Sequence, residues 1–454
     1  MRTWLMTFAL ATTSAFACTE SEPAKNSPGD CAGGGGLAGT AGKPSGGGQT
    51  SGNGGAGANA GSETAHAGTV SEPAEGGAGA GGDAGAGGEP GAGGDSGAGG
   101  GAADSWRLRA LTYNTALAPG FEPLVPERKP EVEKALTQAA QQLDLLCVQE
   151  YWDGAEFDDL KDSVANELPH VFRQNPVPGT GACTEQDLGG LVQCLGANCS
   201  DADGPELVQC AQEKCSQPII NMDGGCLGCV LGHLEHKDFT GCLGEAPSDP
   251  ALFGGAFDVG LLSRYPLLHE EALRFDAYFV RASALYAQVE LPGLGAVDTF
   301  CTHLGSSLGV IPYHGPHGSW DGEHSYQVAQ LLAFIARKNA AQRPLLLLGD
   351  LNTGPASAGP SPLSAELPLD YRLLLDSGLI SAVTEPECTL CPDNVLRGAG
   401  SRALWLDHAL LRGFEARISS QVSLTDTFPL GDATSPMPMS LSDHYGLRVE
   451  LTKP

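Results

Sequence analysis

The chain has 454 residues, with 54 acidic against 25 basic side chains, a net charge of −29 and 64 glycines. That length allows one large domain with appended segments. The charge argues against tight non-specific binding of nucleic acid, which rests on neutralising phosphates with Lys and Arg.

At the amino terminus Arg2 precedes the apolar stretch Trp4 to Leu10, and Ala15-Phe16-Ala17 forms a small-residue cleavage site just before Cys18. This pattern predicts a secretory signal over residues 1–17. A cysteine directly after the cleavage point also resembles the bacterial lipoprotein signal, with Ala15 standing where Leu is usual. The expectation is an exported protein, either secreted or held at the cell surface or outer membrane through a lipidated Cys18. Beyond this end no apolar segment approaches the ~20 residues that cross a bilayer, so no transmembrane helix is expected.

Residues 18–104 are expected to form a tether. From Gly33 to Ala103 the chain is mostly Gly, Ala and Ser with almost no large apolar side chain, so it cannot bury a core. Residues 1–104 carry 10 acidic and 3 basic side chains, leaving 44 and 22 for residues 105–454, a charge near −22. Those roughly 350 residues are long enough for one large domain plus an elaboration, expected to be a monomer.

Within it, Arg109 to Tyr113 is predicted as a strand ending in Asn114, and Leu143 to Gln149 as another ending in Glu150. Eight cysteines then crowd into residues 180–245, where Leu191-Val192-Gln193-Cys194 and Leu207-Val208-Gln209-Cys210 repeat, each with another cysteine five residues on. This predicts a duplicated helical element stapled by disulfides, of unassigned connectivity. A zinc reading, from Cys226-x-x-Cys229 with His233 and His236, competes with it; export favours disulfides. Cys388 and Cys391 are expected to pair locally. Cys147 and Cys301, in presumed buried strands, are expected to be free thiols.

The strand Ala296 to Thr302 ends in His303. Leu345 to Leu348 runs into Gly349-Asp350-Leu351-Asn352. Four consecutive leucines predict a strand buried on both faces, and alternation points Asp350 and Asn352 the same way at its mouth. Leu404 to Leu406 leads into Asp407, and Leu441-Ser442 into Asp443-His444 before the alternating strand Tyr445 to Leu451. One polar strand end is a turn; six ends delivering two Asn, one Glu, three Asp and two His predict a shared site.

Tyr113-Asn114, Gln149-Glu150, Thr302-His303-Leu304, Gly349-Asp350-Leu351-Asn352, Leu406-Asp407 and Ser442-Asp443-His444 occur in the order and approximate spacing of the endonuclease/exonuclease/phosphatase superfamily, and Gly260 to Pro266 resembles its further strand-and-turn signature. The resemblance covers roughly Leu108 to Leu451 and includes deoxyribonuclease I-like nucleases and bacterial neutral sphingomyelinases. It implies a four-layer α/β/β/α sandwich of two mixed sheets, where periodicity alone supports only an α/β class.

The implied activity is phosphoester hydrolysis with a divalent cation, Mg²⁺ or else Mn²⁺ or Ca²⁺, since hard oxygen ligands hold an ion that neutralises phosphoryl charge. By that resemblance Glu150, Asn114 and Asp443 hold the metal, His444 is the base oriented by Asp407, and Asp350 positions the water. His303, Asn352 and Asn114 contact the phosphoryl group. His408 stands where the family commonly has an aromatic residue, read as a structural substitution with a supporting donor as the alternative. Phe275, Asp276, Val280, Arg281, Ala282 and Leu285 resemble the bacterial sphingomyelinase segment after the Ser-Arg-Tyr-Pro turn. The expected substrate is therefore a lipid-headgroup phosphodiester, with a nuclease as the alternative and a non-catalytic surface binding module as the second.

Overall fold

A computed structural model describes residues 105–454 except 120, 178–182, 203–204, 223, 234–238, 245–251, 309–312, 359–360, 399 and 432–434. The expected signal, the tether, Cys18 and His236 lie outside the described residues.

In chain order, β1 (Arg107–Leu117), α1 (Val125–Ala140), β2 (Leu145–Tyr151), α2 (Gly154–Val164) and β3 (His170–Arg173) come first. Four helices follow: α3 (Glu185–Asn198), α4 (Pro205–Lys214), α5 (Ser216–Ile220) and α6 (Gly224–His233). The chain then forms β4 (Gly260–Ser263), β5 (Leu267–Arg274), β6 (Ser283–Leu291), β7 (Gly295–His303), α7 (Trp320–Lys338), β8 (Leu345–Asp350), α8 (Pro368–Asp376) and β9 (Ile380–Ser381). It closes with β10 (Asp407–Arg412), β11 (Arg417–Ser423), β12 (Thr427–Leu430), β13 (Met437–Ser440) and β14 (Gly446–Thr452).

One six-stranded sheet runs β11-β14-β1-β2-β4-β3 and the other β5-β6-β7-β8-β10-β9. Both are mixed, because β1 pairs with β2 and β7 with β8 in parallel while their other neighbours are antiparallel. A parallel pair needs a crossover, and α1 and α7 supply them. The inner faces meet in a core that includes Leu108, Leu145 and Leu261 from one sheet and Leu285, Leu346 and Leu348 from the other. On the outside, Val132, Leu136, Phe157 and Leu160 of α1 and α2 cover the first sheet. Val328, Leu331, Phe334 and Leu374 of α7 and α8 cover the second. The result is the four-layer α/β/β/α sandwich.

The leucine run of β8 shows why both faces had to be apolar. Leu346 and Leu348 face the other sheet while Leu345 and Leu347 face the α7 side, and all four are fully buried. Gly349 follows because a Cβ there would stand 2.1 Å from the Thr302 carbonyl oxygen of β7. Strand β1 runs beyond its predicted end, to Leu117. Asn114 Oδ1 accepts a hydrogen bond from Ala116 N at 3.0 Å, Ala116 takes φ 51°, and the register with β2 shifts there. That is a β-bulge, a device that re-aims side chains at a strand end. Glu150 likewise lies inside β2, with φ 62°.

The cysteine-rich segment forms its own small core around Leu191, Leu195, Leu207, Ala211 and Val230. Cys194–Cys215 ties α3 to the residue just after α4, and Cys199–Cys210 ties the residue just after α3 to α4, so the two Leu-Val-Gln-Cys repeats are the facing helices of one hairpin. Cys183–Cys226 and Cys229–Cys242 close the rest. The zinc reading therefore fails: both cysteines of its CxxC are oxidised to separate partners, and His233 Nδ1 bonds to the Cys229 carbonyl at 2.9 Å. Cys388 pairs with Cys391 as expected.

Cys147 and Cys301 are not free thiols. They form a disulfide between β2 and β7, and so between the two sheets. Both side chains point into the interlayer core, where their Cα atoms stand 5.6 Å apart, within bridging reach. Among the described residues no helix is long and apolar enough to cross a membrane.

Candidate active site

The predicted polar strand ends gather at one end of the sandwich. Parallel register sets His303 beside Asp350, and antiparallel register sets Asp350 beside Asp407, so three neighbouring strands of the second sheet present His, Asp and Asp in a row. From the first sheet, Asn114 and Glu150 come off adjacent strands β1 and β2. Asn114 Nδ2 donates to Glu150 Oε1 and to Asp350 Oδ2, each at 3.0 Å, and so joins the sheets. Because Asn114 Oδ1 is engaged by Ala116 N, the amide faces the site as a donor.

Two imidazole–carboxylate dyads converge on Asp350. His444 Nδ1 bonds Asp407 Oδ2 at 2.7 Å, and its Nε2 lies 3.7 Å from Asp350 Oδ2. His303 Nδ1 bonds Asp258 Oδ2 at 2.5 Å, and its Nε2 lies 3.6 Å from the same Asp350 oxygen. Each carboxylate fixes one ring nitrogen and aims the other inward. Asn352 Nδ2 sits 3.1 Å from His303 Nε2 and donates to the Leu304 carbonyl at 2.7 Å, while its backbone N–H bonds Asp350 Oδ1 at 2.9 Å. The Asp350–Asn352 pair is thus held as a unit. Asp443, next to His444, meets Arg397 at 3.8 Å.

The charges are strongly coupled. Burial opposes protonation of His303, but Asp258, Asp350 and Glu150 together outweigh it and hold the imidazolium up to about 10. For His444 burial is again overcome, by Asp407, Asp443 and Asp350, and the pKa stands well above the usual value. Asp350 resists its burial through His444 and His303 and stays below the ordinary carboxylate range. Glu150 goes the other way: burial pushes it up to about 7, with His303 opposing and Asp443 adding to the rise. Glu122 is raised well above its usual range by burial, Asp443 and Glu150.

That imbalance tests whether a metal fits. Asp443 raises both Glu150 and Glu122, and Glu150 adds to the rise of Glu122, so the rim gathers more negative charge than its own side chains neutralise. Hard oxygen donors with a deficit of positive charge match Mg²⁺, Mn²⁺ or Ca²⁺. Asp350, Asp407 and His444 also present atoms within 4.8 Å of one another, a closeness that follows from the dyad itself.

Some participants escaped sequence reading. Asp258 is 1% exposed and accepts from both His303 and the Glu150 backbone N–H at 3.2 Å. Its signal was a lone acid inside the apolar run Ala256 to Leu262. Arg128, fully buried, donates to the carbonyls of Pro123, Thr115, Ala116 and Leu441, tying the bulge of β1 to the segment carrying His444. Thr389 Oγ1 accepts from Leu406 N and Asp407 N, both at 3.1 Å. His408 serves structure. Its Nε2 bonds the Thr353 carbonyl at 2.7 Å, its ring lies against Trp405 and Tyr371, and burial lowers its pKa to about 4, keeping it neutral.

A family model described as Endonuclease/Exonuclease/phosphatase family matches residues 111–444. Among curated proteins no sequence matches this chain. Among solved structures, sphingomyelinase C from Streptomyces griseocarneus aligns over 76% of this chain and 99% of its own, at 22% identity and TM-score 0.46. Beta toxin from Staphylococcus aureus, in a structure with bound magnesium ions, aligns over 75% and 98% at 14% identity and TM-score 0.45. TDP2 from C. elegans aligns over 76% and 75% at 11% identity and TM-score 0.42.

Proposed function

The chain belongs to the endonuclease/exonuclease/phosphatase family, a family of phosphoester hydrolases, and on that premise we propose that it is an exported, divalent-metal-dependent phosphodiesterase acting on lipid headgroups. The observation that carries hydrolysis is the pair of dyads aimed at one carboxylate: His444 with Asp407, and His303 with Asp258. Such a pair places two proton-transfer groups about a single reaction centre.

Glu150 and Asp443 would hold the cation, with Asn114 fixing Glu150 in place. A divalent ion there supplies the charge that neutralises the phosphoryl oxygens. With the carboxylates that raise His444 offset by a cation held by Glu150 and Asp443, its Nε2 is free to take a proton from the attacking water, while Asp407 holds Nδ1 and stabilises the imidazolium formed. Asp350, 3.7 Å from that Nε2, orients the water. His303, kept protonated by three carboxylates, donates to a phosphoryl oxygen or the leaving group. Asn352 donates beside it.

Two features favour a lipid headgroup. Residues 105–454 carry a charge near −22, which removes the electrostatic affinity a nuclease relies on. The segment Phe275 to Leu285 has the sphingomyelinase-like pattern and packs into the sheet and helix beside the site, with Phe275, Ala282 and Ala284 buried. Export is supported by twelve of the fourteen cysteines being paired. With Mg²⁺, phosphocholine release from sphingomyelin micelles well above cleavage of single- or double-stranded DNA is the expected result. Rapid DNA degradation with no action on choline lipids overturns the substrate and leaves the nuclease. Hydrolysis of neither leaves the surface binding module.

A further inference from the structure

At the rim of the site, Arg397 keeps a buried donor that has no partner among the described residues. Arg397 lies in the segment between β9 and β10, and that segment is pinned to both halves of the His444–Asp407 dyad. Besides the Thr389 hydroxyl bonds to Leu406 and Asp407, the Thr389 carbonyl accepts from Tyr445 N at 2.7 Å and Leu390 bridges His444. Asn394 Nδ2 donates to the Ser442 carbonyl at 2.8 Å, and Val395 N donates to Ser440 Oγ at 3.2 Å. A turn closed by Asn394 then sets the Arg397 backbone, whose N–H bonds the Asn394 carbonyl at 2.9 Å. The residue is placed by the same contacts that place the catalytic dyad.

Its side chain is placed but not satisfied. Among the described residues, Arg397 Nε is buried with no hydrogen-bond partner. Nη1 faces Asp443 Oδ2 at 3.8 Å, too long for an N–H···O bond, with the side chain only 19% exposed. The fully buried Arg128 behind the same site behaves differently, spending its donors on four carbonyls. A guanidinium offers five N–H donors in a planar fork that matches anionic oxygens two at a time. A loose ion pair of this length explains neither the burial nor the empty donor.

Resting on the phosphoester reading, we propose that Arg397 contacts the substrate, its guanidinium receiving the non-bridging oxygens of the phosphoryl group and those of the phosphate-bearing product. Asp443 keeps the fork turned toward the rim that it shares with Glu150 and His444. The ligand chemistry is a tetrahedral oxyanion, and inorganic phosphate is its simplest probe.

The test uses the mature full chain as wild type, Arg397→Lys, Arg397→Gln and Arg397→Ala, with folding checked by circular dichroism. Calorimetric titration with inorganic phosphate in Mg²⁺ should show affinity falling about tenfold to a hundredfold in the Gln and Ala variants, the loss expected for charge-assisted hydrogen bonds. KM for bis(p-nitrophenyl) phosphate should rise by a similar factor while kcat changes less. The Lys variant should recover only part, and millimolar guanidinium should restore part of the Ala variant's affinity. Wild-type phosphate affinity in folded Gln and Ala variants overturns the proposal, as does a lowered Tm with unchanged affinity, which makes Arg397 a brace. Wild type that binds no phosphate overturns it too. Phosphate binding that depends on Arg397 in a protein that hydrolyses no diester upholds the anion contact and fails only the hydrolase.

Discussion

Replacing Cys147 and Cys301 together by Ala should lower stability far more than two buried side chains suggest. The bridge spans 154 residues of sequence, and closures within the cysteine-rich segment of 43 and 13 residues shorten the effective loop to about 100. Loop-closure entropy for that length is about 4.7 kcal/mol. A chain of roughly 350 ordered residues unfolds with an entropy near 0.7 kcal/mol per kelvin, so the melting temperature should fall by about 6 °C. Loss of two sulfurs from a packed interlayer core adds to this in the same direction. Differential scanning calorimetry of the double variant against wild type measures the shift. A fall under about 2 °C refutes the loop argument. Alkylation of Cys147 or Cys301 in unfolded, unreduced protein refutes the bond itself.

Glu150→Gln and His444→Ala should each cut turnover by about 10²- to 10⁴-fold or more in folded protein, and full activity in excess chelator sinks the metal assignment. Because burial raises Glu150 to about 7, protons should compete with the ion. Mg²⁺ should raise the melting temperature at pH 8, lose that effect as pH falls through about 7, and do nothing for Glu150→Gln; a pH-independent metal effect contradicts this. His303 has a folded pKa raised to about 10, above the ~6.5 of an unfolded histidine. Its contribution is therefore fully present below about pH 6.5 and lost as pH rises through about 10. Asp258→Asn should flatten that part of the metal-free stability profile, and an unchanged profile in a folded variant removes Asp258 as the cause. Cys18→Ser should release the protein from membranes with hydrolysis unchanged; a wild type wholly soluble after processing leaves ordinary secretion.

How legible the chain was follows from how local each signal is. The buried strand β8 could be read because four leucines satisfy both faces at once, and the site residues at strand ends could be read because polar groups at those points break an apolar run. The extension of β1 past Asn114 could not, since the bulge depends on a side chain bonding its own backbone two residues on. Asp258 stood in plain view as a lone acid among apolar residues, but its partner His303 lies 45 residues away on the other sheet. The bond between Cys147 and Cys301 was misread for the same reason. Each cysteine alone looks like a small apolar core residue, and only the packing of two sheets brings them together. In the cysteine-rich segment the repeat predicted the helices, while the pairing depended on their running antiparallel.

That dependence on sheet packing is a property of the site as well as of the prediction. Asp258 enters β4 of the first sheet and holds His303 at the end of β7 in the second. Asp407 opens β10 of the second sheet and holds His444, which leads into β14 of the first. Each dyad therefore takes its carboxylate from one sheet and its imidazole from the other, in opposite senses, and Asn114 adds a third bond across the gap to Asp350. Neither sheet alone has a compensated set of buried charges, and leaving either half of a dyad buried and unpaired is costly. Docking the sheets thus assembles the proton-transfer groups and neutralises them in the same step. The disulfide sits three residues from Glu150 and two from His303, where any slide of one sheet over the other would pull both dyads apart.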